Sequence, residues 1–296
     1  MSNSNQEESI NLPLVHKGKV RDVYDLGQSY LIVASDRISA FDHVIPTLIP
    51  NKGKVLHKLS MFWFDLVQGI VPNHIITGDF NTFPTGLKKY EYFRDRSMIV
   101  KKANRIDIEC IVRGYLTGSG WKEYQKSQTV CAIKLLERLK ESSKLPEPVF
   151  TPSSKEDGSK HDENISFEET IRRVGHDTAE SLKKISVELY KKASSYALSK
   201  GILLADTKLE FGFYNDKLIL IDEIFTPDSS RFWEVSKYEE GKPQGSLDKQ
   251  YIRDYLENIK WNKSSPAPAL PKDIVEKTME KYIGVYEKLT GEIFNV

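Results

Sequence analysis

Two carboxylates, Glu210 and Asp222, stand twelve positions apart around a short polar break, Asn215-Asp216-Lys217. The flanking residues 205–214 and 218–225 read as strands that this break joins into a hairpin. Along the first strand Leu209, Phe211 and Phe213 alternate with Lys208, Glu210 and Gly212, so one face is apolar and the other carries chemistry. The register decides what Glu210 meets. A two-residue turn at Asn215-Asp216 opposes Glu210 to Ile221 and sends Asp222 to the other face. A three-residue loop opposes Glu210 to Asp222, with Cβ atoms about 5 Å apart. The apolar pattern does not choose, because Leu218/Leu220 and Ile219/Ile221 serve equally well as core. The three-residue loop is favoured because it gathers Asp206, Lys208, Glu210, Gly212 and Asp222 on one face. Carboxylates opposed across a ladder repel unless a cation lies between them. Hard oxygens in a pair beside a lysine suit Mg²⁺ carrying nucleotide phosphates. Gly212 on that face would let a flat or bulky ligand approach the backbone. A solvated hairpin face with unrelated charges accounts for the same spacing.

Other stretches offer cations to an anion. His16-Lys17-Gly18-Lys19-Val20-Arg21 sets one glycine among basic side chains at a strand edge, where backbone N–H and ammonium groups can embrace phosphate. It is not a P-loop, and a basic surface turn explains it as well. Ser35 to Asp42, which includes Arg37 and Ser39, is dense in polar groups directly after an apolar strand, a position from which site residues emerge. Arg113 to Trp121 places three glycines and two hydroxyls near an arginine whose planar fork suits carboxylate or phosphate. Thr226 to Trp233 brings Arg231 beside Ser229 and Ser230, a set that suits a phosphate monoester. His161-Asp162-Glu163 resembles a metal cluster, but consecutive side chains diverge and rarely share one ion. His57 and His74 lack a partner at ligand spacing and are read as structural or surface residues.

These groups need elements to position them. Residues 20–24 and 30–34 read as a second hairpin, 97–101 and 106–113 as further strands, and 101–104 as a connector between two lobes. An amphipathic helix fits 55–68, closed by Gly69, and another fits 178–200, closed by Gly201. A capping box at Ser166 to Glu169 opens a helix before it. Residues 141–163 are polar and Pro-rich and read as a long functional loop or a disordered segment. Helices at 247–260 and 271–289 form a tail that reads as packing, not chemistry.

The 296-residue chain is long enough for one large domain or two lobes, and a chain of this size buries roughly 75% of its unfolded surface. Forty-three basic and 42 acidic residues leave a net charge of +1, which excludes a general nucleic-acid footprint. Cys110 and Cys131 fit reduced structural thiols, and no zinc spacing exists. The polar, acidic start MSNSNQEESINLP is no signal peptide, and no apolar run approaches the ~18 residues that span a bilayer. No membrane association and a cytoplasmic location are expected.

Seven segments taken in order resemble the SAICAR synthetase family, the phosphoribosylaminoimidazole-succinocarboxamide synthases. They are GKVRDVY at 18–24, SDRISAFD at 35–42, ECIVRGYLTGSGWKEY at 109–124, FTPSSKEDGSKHDENIS at 150–166, ADTKLEFG at 205–212, IDEIFTPDSSRFW at 221–233 and KQYIRDYL at 249–256. Each is weak alone; seven in this order are specific. The long 150–166 segment and the C-terminal helices are similar to the longer, yeast-type form. Leu209 stands where Phe is frequent in the family, and SSKEDGSK replaces an expected STKA and acidic stretch. The resemblance implies an α+β, two-lobed fold related to ATP-grasp and kinase-like ATP-binding lobes. Its parts would be a nucleotide-covering lobe at 1–103, a metal and substrate lobe at 104–246 and a C-terminal helical segment at 247–296. It also implies ATP-dependent joining of carboxyaminoimidazole ribotide and L-aspartate, by an acyl phosphate, in a monomer. On this resemblance Glu210 and Asp222 hold Mg²⁺, and Lys17, Gly18 and Lys19 cover the ATP phosphates. Lys101, Lys102 and Ala103 meet adenine. Arg113, Ser119, Ser229 and Arg231 bind the ribotide, while Asp206 and Lys208 act beside the metal with Arg113. Asp162, Arg37 and Ser39 fall to the substrate side. Another carboxylate–amine ligase or a small-molecule kinase is the competing reading, although no HRD or DFG segment of a protein kinase is present. A nucleotide-binding module without catalysis is a third.

Overall fold

A computed structural model describes residues 10–155 and 163–295. Asp162 and most of its loop lie outside the described residues. Two antiparallel sheets carry the fold. The smaller has the order β1-β2-β3-β7-β6: Leu14–Lys17, Arg21–Asp25, Ser29–Ala34, Ser97–Lys101 and Ile75–Thr77. A short hairpin, β4 (Ile38–Ala40) and β5 (His43–Ile45), follows β3. The helix α1, Lys52–Leu66, comes next.

The larger sheet is centred on β9 (Ile108–Tyr115) and the 13-residue β14 (Ile202–Tyr214), with β15 (Lys217–Ile221) and β16 (Ser230–Glu234) beside β14. The short β8 (Asn104–Arg105) also pairs with β14. Both central strands are almost fully buried because a long helix, His176–Ser199, lies across one face. Its stripe of Leu182, Leu189, Ala193 and Ala197 packs on Cys110, Val112, Leu204 and Leu209 in one core. Trp63 of α1 and Phe225 after β15 meet in that same core, ring centroids 5.3 Å apart. The C-terminal helix Lys272–Thr290 closes it with Tyr282, Val285 and Leu289. No helix among the described residues is long and apolar enough to cross a membrane.

Two expectations are corrected here. The hairpin takes the two-residue turn: Tyr214 pairs with Lys217 and Glu210 with Ile221. Asn215 and Asp216 both adopt positive φ (49° and 59°), the conformation of a type I′ turn, whose twist matches the flanking strands. That local preference outweighs the gathering of polar groups that favoured a longer loop. The second correction concerns 141–163, which is not one long loop. Lys144–Phe150 forms β12 and Ser153–Ser154 forms β13, both paired with β9. The ladder of β12 shifts register between Lys144 and Val149, which accommodates Pro146 and Pro148 on an edge strand.

Gly212 also has another use than expected. A Cβ there would lie 2.8 Å from the Asn104 carbonyl, so its missing side chain lets β8 pack on β14. Elsewhere the serine half of the capping box forms, with Ser166 accepting the Glu169 N–H at 3.1 Å, while the Glu169 carboxylate binds Arg172 and Arg173.

His57 and His74 are buried, with the Nδ1 of one and the Nε2 of the other unpartnered. Burial pushes His57 down to about 4 and His74 down to about 3. The unfolded chain therefore binds these protons more readily. Their contribution to stability is complete above pH ~6.5 and is lost as the pH falls toward the folded values, by up to ~1.4 kcal/mol per unit for each histidine. Urea midpoints should fall between pH 7 and pH 5 and flatten in a His57→Gln variant. Constant wild-type midpoints over that interval would contradict it.

Candidate active site

The uncovered face of the larger sheet meets the smaller sheet at a cleft of about 730 Å³. Along β14 the alternation turns Asp206, Lys208 and Glu210 into it, and the paired strand β9 adds Glu109, Ile111 and Arg113. The two-residue register sets Ile221 opposite Glu210, yet Asp222 also lines the cleft. Strand pairing ends at Ile221 and Asp222 takes φ 65°, so the alternation stops there and the carboxylate returns to the Glu210 side.

At this acidic end every carboxylate has a cation. Lys208 Nζ sits 2.7 Å from Glu210 Oε1 and 3.0 Å from Glu109 Oε1, while Lys155 binds the other oxygen of Glu210. Arg21, reaching across from β2, donates to Asp222 Oδ2 at 2.7 Å and to Glu223. Burial alone would raise both pair members. For Glu210 it is outweighed by Lys208 and Lys155, which hold the carboxyl well below the usual range. Asp222 stays raised, because burial is reinforced by Glu210 and Glu223 and only partly offset by Arg21. The two acids therefore feel each other's charge.

The opposite end is basic. Arg113 Nη1 donates to Asp206 Oδ2 at 2.8 Å, its Nη2 donates to Ser119 at 2.9 Å, and Arg231 binds the same Asp206 oxygen. One carboxylate thus holds two guanidiniums side by side. Gly118, at φ 59°, permits this, since a Cβ there would lie 2.5 Å from Arg231 Nη2. The helix Gly118–Ser127 starts at this point and offers Ser119 in its first turn.

Most of the sequence candidates come together here: Gly18, Lys19, Ser39, Lys101, Ala103, Arg113, Ser119, Asp206, Lys208, Glu210, Asp222, Ser229 and Arg231 line the cleft. Three do not. Lys17 lies on the exposed edge strand β1. Lys102 turns away to Asp25 at 2.7 Å and covers the Tyr30 ring. Arg37 grips Asp22 with both Nη atoms and reaches the Gly18 and Lys19 carbonyls, so it braces the glycine turn instead of facing the cleft.

Other lining residues escaped the reading. Arg21 follows Lys19 at the strand period of two, a signal that was present. Lys249 and Arg253 lie four apart at the start of the helix Gln250–Asn258 and line the cleft, so the tail is not packing alone. Lys155 and Glu223 carry no spacing signal; tertiary contact brings them in.

Comparison with known proteins identifies the family. The SAICAR synthetase family model matches residues 14–268. The phosphoribosylaminoimidazole-succinocarboxamide synthase of Thermodesulfovibrio yellowstonii is 58% identical over 279 residues, 94% of this chain and 95% of that one. The SAICAR synthase of Saccharomyces cerevisiae, solved in complex with SAICAR, superposes with a TM-score of 0.88 at 45% identity, covering 96% of this chain and 97% of that one. A more distant SAICAR synthetase, solved in complex with ADP, shares the fold at TM-score 0.70 and 24% identity, over 95% and 99% of the two chains. This chain belongs to the SAICAR synthetase family, ATP-dependent ligases that join carboxyaminoimidazole ribotide and L-aspartate in purine biosynthesis.

Proposed function

We propose that amide synthesis proceeds here through an acyl phosphate, with nucleotide and ribotide bound at the two ends of the one cleft. The observation that carries this is the charge layout. Two carboxylates that repel each other lie at one end, two arginines joined by Asp206 lie at the other, and Lys208 stands between them. The ADP bound by one relative and the SAICAR bound by another make the same pair of ligands reasonable for this cleft.

Mg²⁺ fits the acidic end. Glu210 and Asp222 are hard oxygen donors, and Asp222 is raised first by burial, with Glu210 and Glu223 adding to it against Arg21 and Lys208. Among the described residues no three metal-ligating side chains surround one point. Two protein carboxylates completed by nucleotide phosphates form the kind of set Mg²⁺ takes. When bound, the ion supplies charge neutralisation for the transferred phosphoryl group.

The chain's own residues do the remainder. Lys19 and the Gly18 turn lie over the phosphates, held in place by Arg37. Adenine sits against the connector Lys101 to Ala103, while Lys102 fixes that connector to Asp25. Arg113, Ser119, Ser229 and Arg231 hold the ribotide and its phosphate, with Asp206 fixing the arginine forks. Lys208 offers its ammonium to the acyl phosphate that develops as the imidazole carboxylate attacks phosphorus. Ser39 belongs to the aspartate side.

Two variants test this assignment. Glu210→Gln should lower turnover by about 10²–10³-fold, as loss of a preorganised electrostatic group does, with a urea midpoint close to wild type. Unfolding with metal binding unchanged would show that the acidic face is structural. Arg231→Lys should weaken ribotide binding by about 10–100-fold, from the ~1.5–3 kcal/mol of a lost charged hydrogen bond, and leave ATP binding nearly unchanged. Equal losses for both ligands would contradict the two-ended arrangement.

A further inference from the structure

Amide formation needs a free amine, but L-aspartate arrives as an ammonium. In the assignment above Lys208, Arg113 and Arg231 are all paired with carboxylates. Lys249 is different. It lines the cleft, yet among the described residues nothing forms a hydrogen bond or ion pair with its Nζ. Asp228 is the acid that acts on it most strongly, and both oxygens of Asp228 are already engaged. Lys52 Nζ sits 2.6 Å from Oδ2, and the Tyr282 hydroxyl donates to Oδ1 at 2.8 Å.

The backbone holds Lys249 at this place. Leu247 N donates to the Phe232 carbonyl at 2.9 Å, and Asp248 accepts from Phe232 N and from Gln250 N at 3.2 and 2.7 Å. The residue therefore stands just before a helix pinned to β16, the strand that carries Arg231.

We propose that Lys249, as its neutral amine, is the base that removes a proton from the aspartate ammonium; the proposal rests on the ligase reading. Lys249 Nζ takes one proton from the α-ammonium of aspartate. The freed nitrogen lone pair attacks the acyl carbon, the C–N bond forms, and the C–O bond to phosphate breaks with its electron pair on phosphate. The second nitrogen proton leaves with that phosphate.

The surroundings suit the task. Burial pushes Lys249 down to about 8, with Arg253 and Lys52 adding to the effect and Asp228 and Glu223 opposing it. Among the described residues, Asp248, Tyr282 and Arg231 are further titratable or charged groups packed around the same place. A base poised near the working pH is what proton abstraction requires.

The test compares wild type with Lys249→Arg, which keeps the charge but does not give up a proton, and with Lys249→Gln should the first variant fold poorly by melting temperature. Amide formation, KM for aspartate and calorimetric ribotide binding are measured from pH 6.5 to 9.5. The expected result is an on-the-order-of 10²–10⁴-fold loss of kcat. Ribotide affinity should stay within about threefold, and the wild-type acid limb near pH 8 should be replaced by a steady rise with pH as free aspartate amine accumulates. An unchanged rate and profile would overturn the proposal. So would a loss confined to KM or to ribotide binding, which would make Lys249 a binding group. Failure of the ligase reading itself is distinct, since wild type would then form no amide.

Discussion

Like charges brought together in a poorly solvated place must be compensated, and in this protein that requirement ties the two sheets together. Glu210 lies on β14 and Asp222 just past β15; of their counter-cations Lys208 shares β14, while Lys155 comes from beyond β13 and Arg21 from the smaller sheet. Arg21 spans about 200 positions of sequence to reach its partners, so the charge balance of the acid pair also fixes how the strand carrying Lys19 and Arg21 sits over the larger sheet. The cations reach the acids from partly exposed positions, so losing one partner costs less than the ~3–5 kcal/mol of a fully buried pair. The same attraction that builds the cleft thus holds Glu210 and Asp222 on one side of it.

The basic end repeats the logic with opposite sign. Two arginines would repel, and Asp206 lies between them. Each fork keeps nitrogen atoms beyond those spent on Asp206, and Ser119 and Ser229 supply neutral groups beside them. Behind this end a second buried set, Lys52 with Asp228 and Tyr282, draws the start of α1, the loop after β15 and the C-terminal helix to one point. The tail thereby becomes part of the wall of the cleft, and Lys249 and Arg253 come with it.

How much of this was legible in the sequence depends on the range of the interaction. Strand alternation in 205–214 and the helical stripe in 178–200 reported the sheet face and its cover correctly, because both are periodic and local. The family-bearing segments pointed to residues that the fold gathers at both ends of the cleft. The hairpin register was misread, since the choice lay with the φ preferences of Asn215 and Asp216, while the polar face drew attention to the wrong alternative. Asp222 nevertheless reaches Glu210's side through one left-handed residue, which no periodic pattern announces. Arg37 was read as facing a ligand but braces a turn, and Lys155 and Lys249 enter through contacts between distant segments. Pro-rich composition hid β12 because an edge strand tolerates what a central one does not.

Under the proposed function a divalent ion is shared by Glu210 and Asp222 at the phosphates of the nucleotide. Crystals grown with Mn²⁺ and a non-hydrolysable ATP analogue give the most direct measurement, since the anomalous signal of the metal locates it independently of the protein. The account predicts one peak within about 2.0–2.3 Å of an oxygen from each carboxylate and of the nucleotide phosphates. A peak bound by phosphates alone, with Glu210 still held by Lys155 and Lys208, would contradict it.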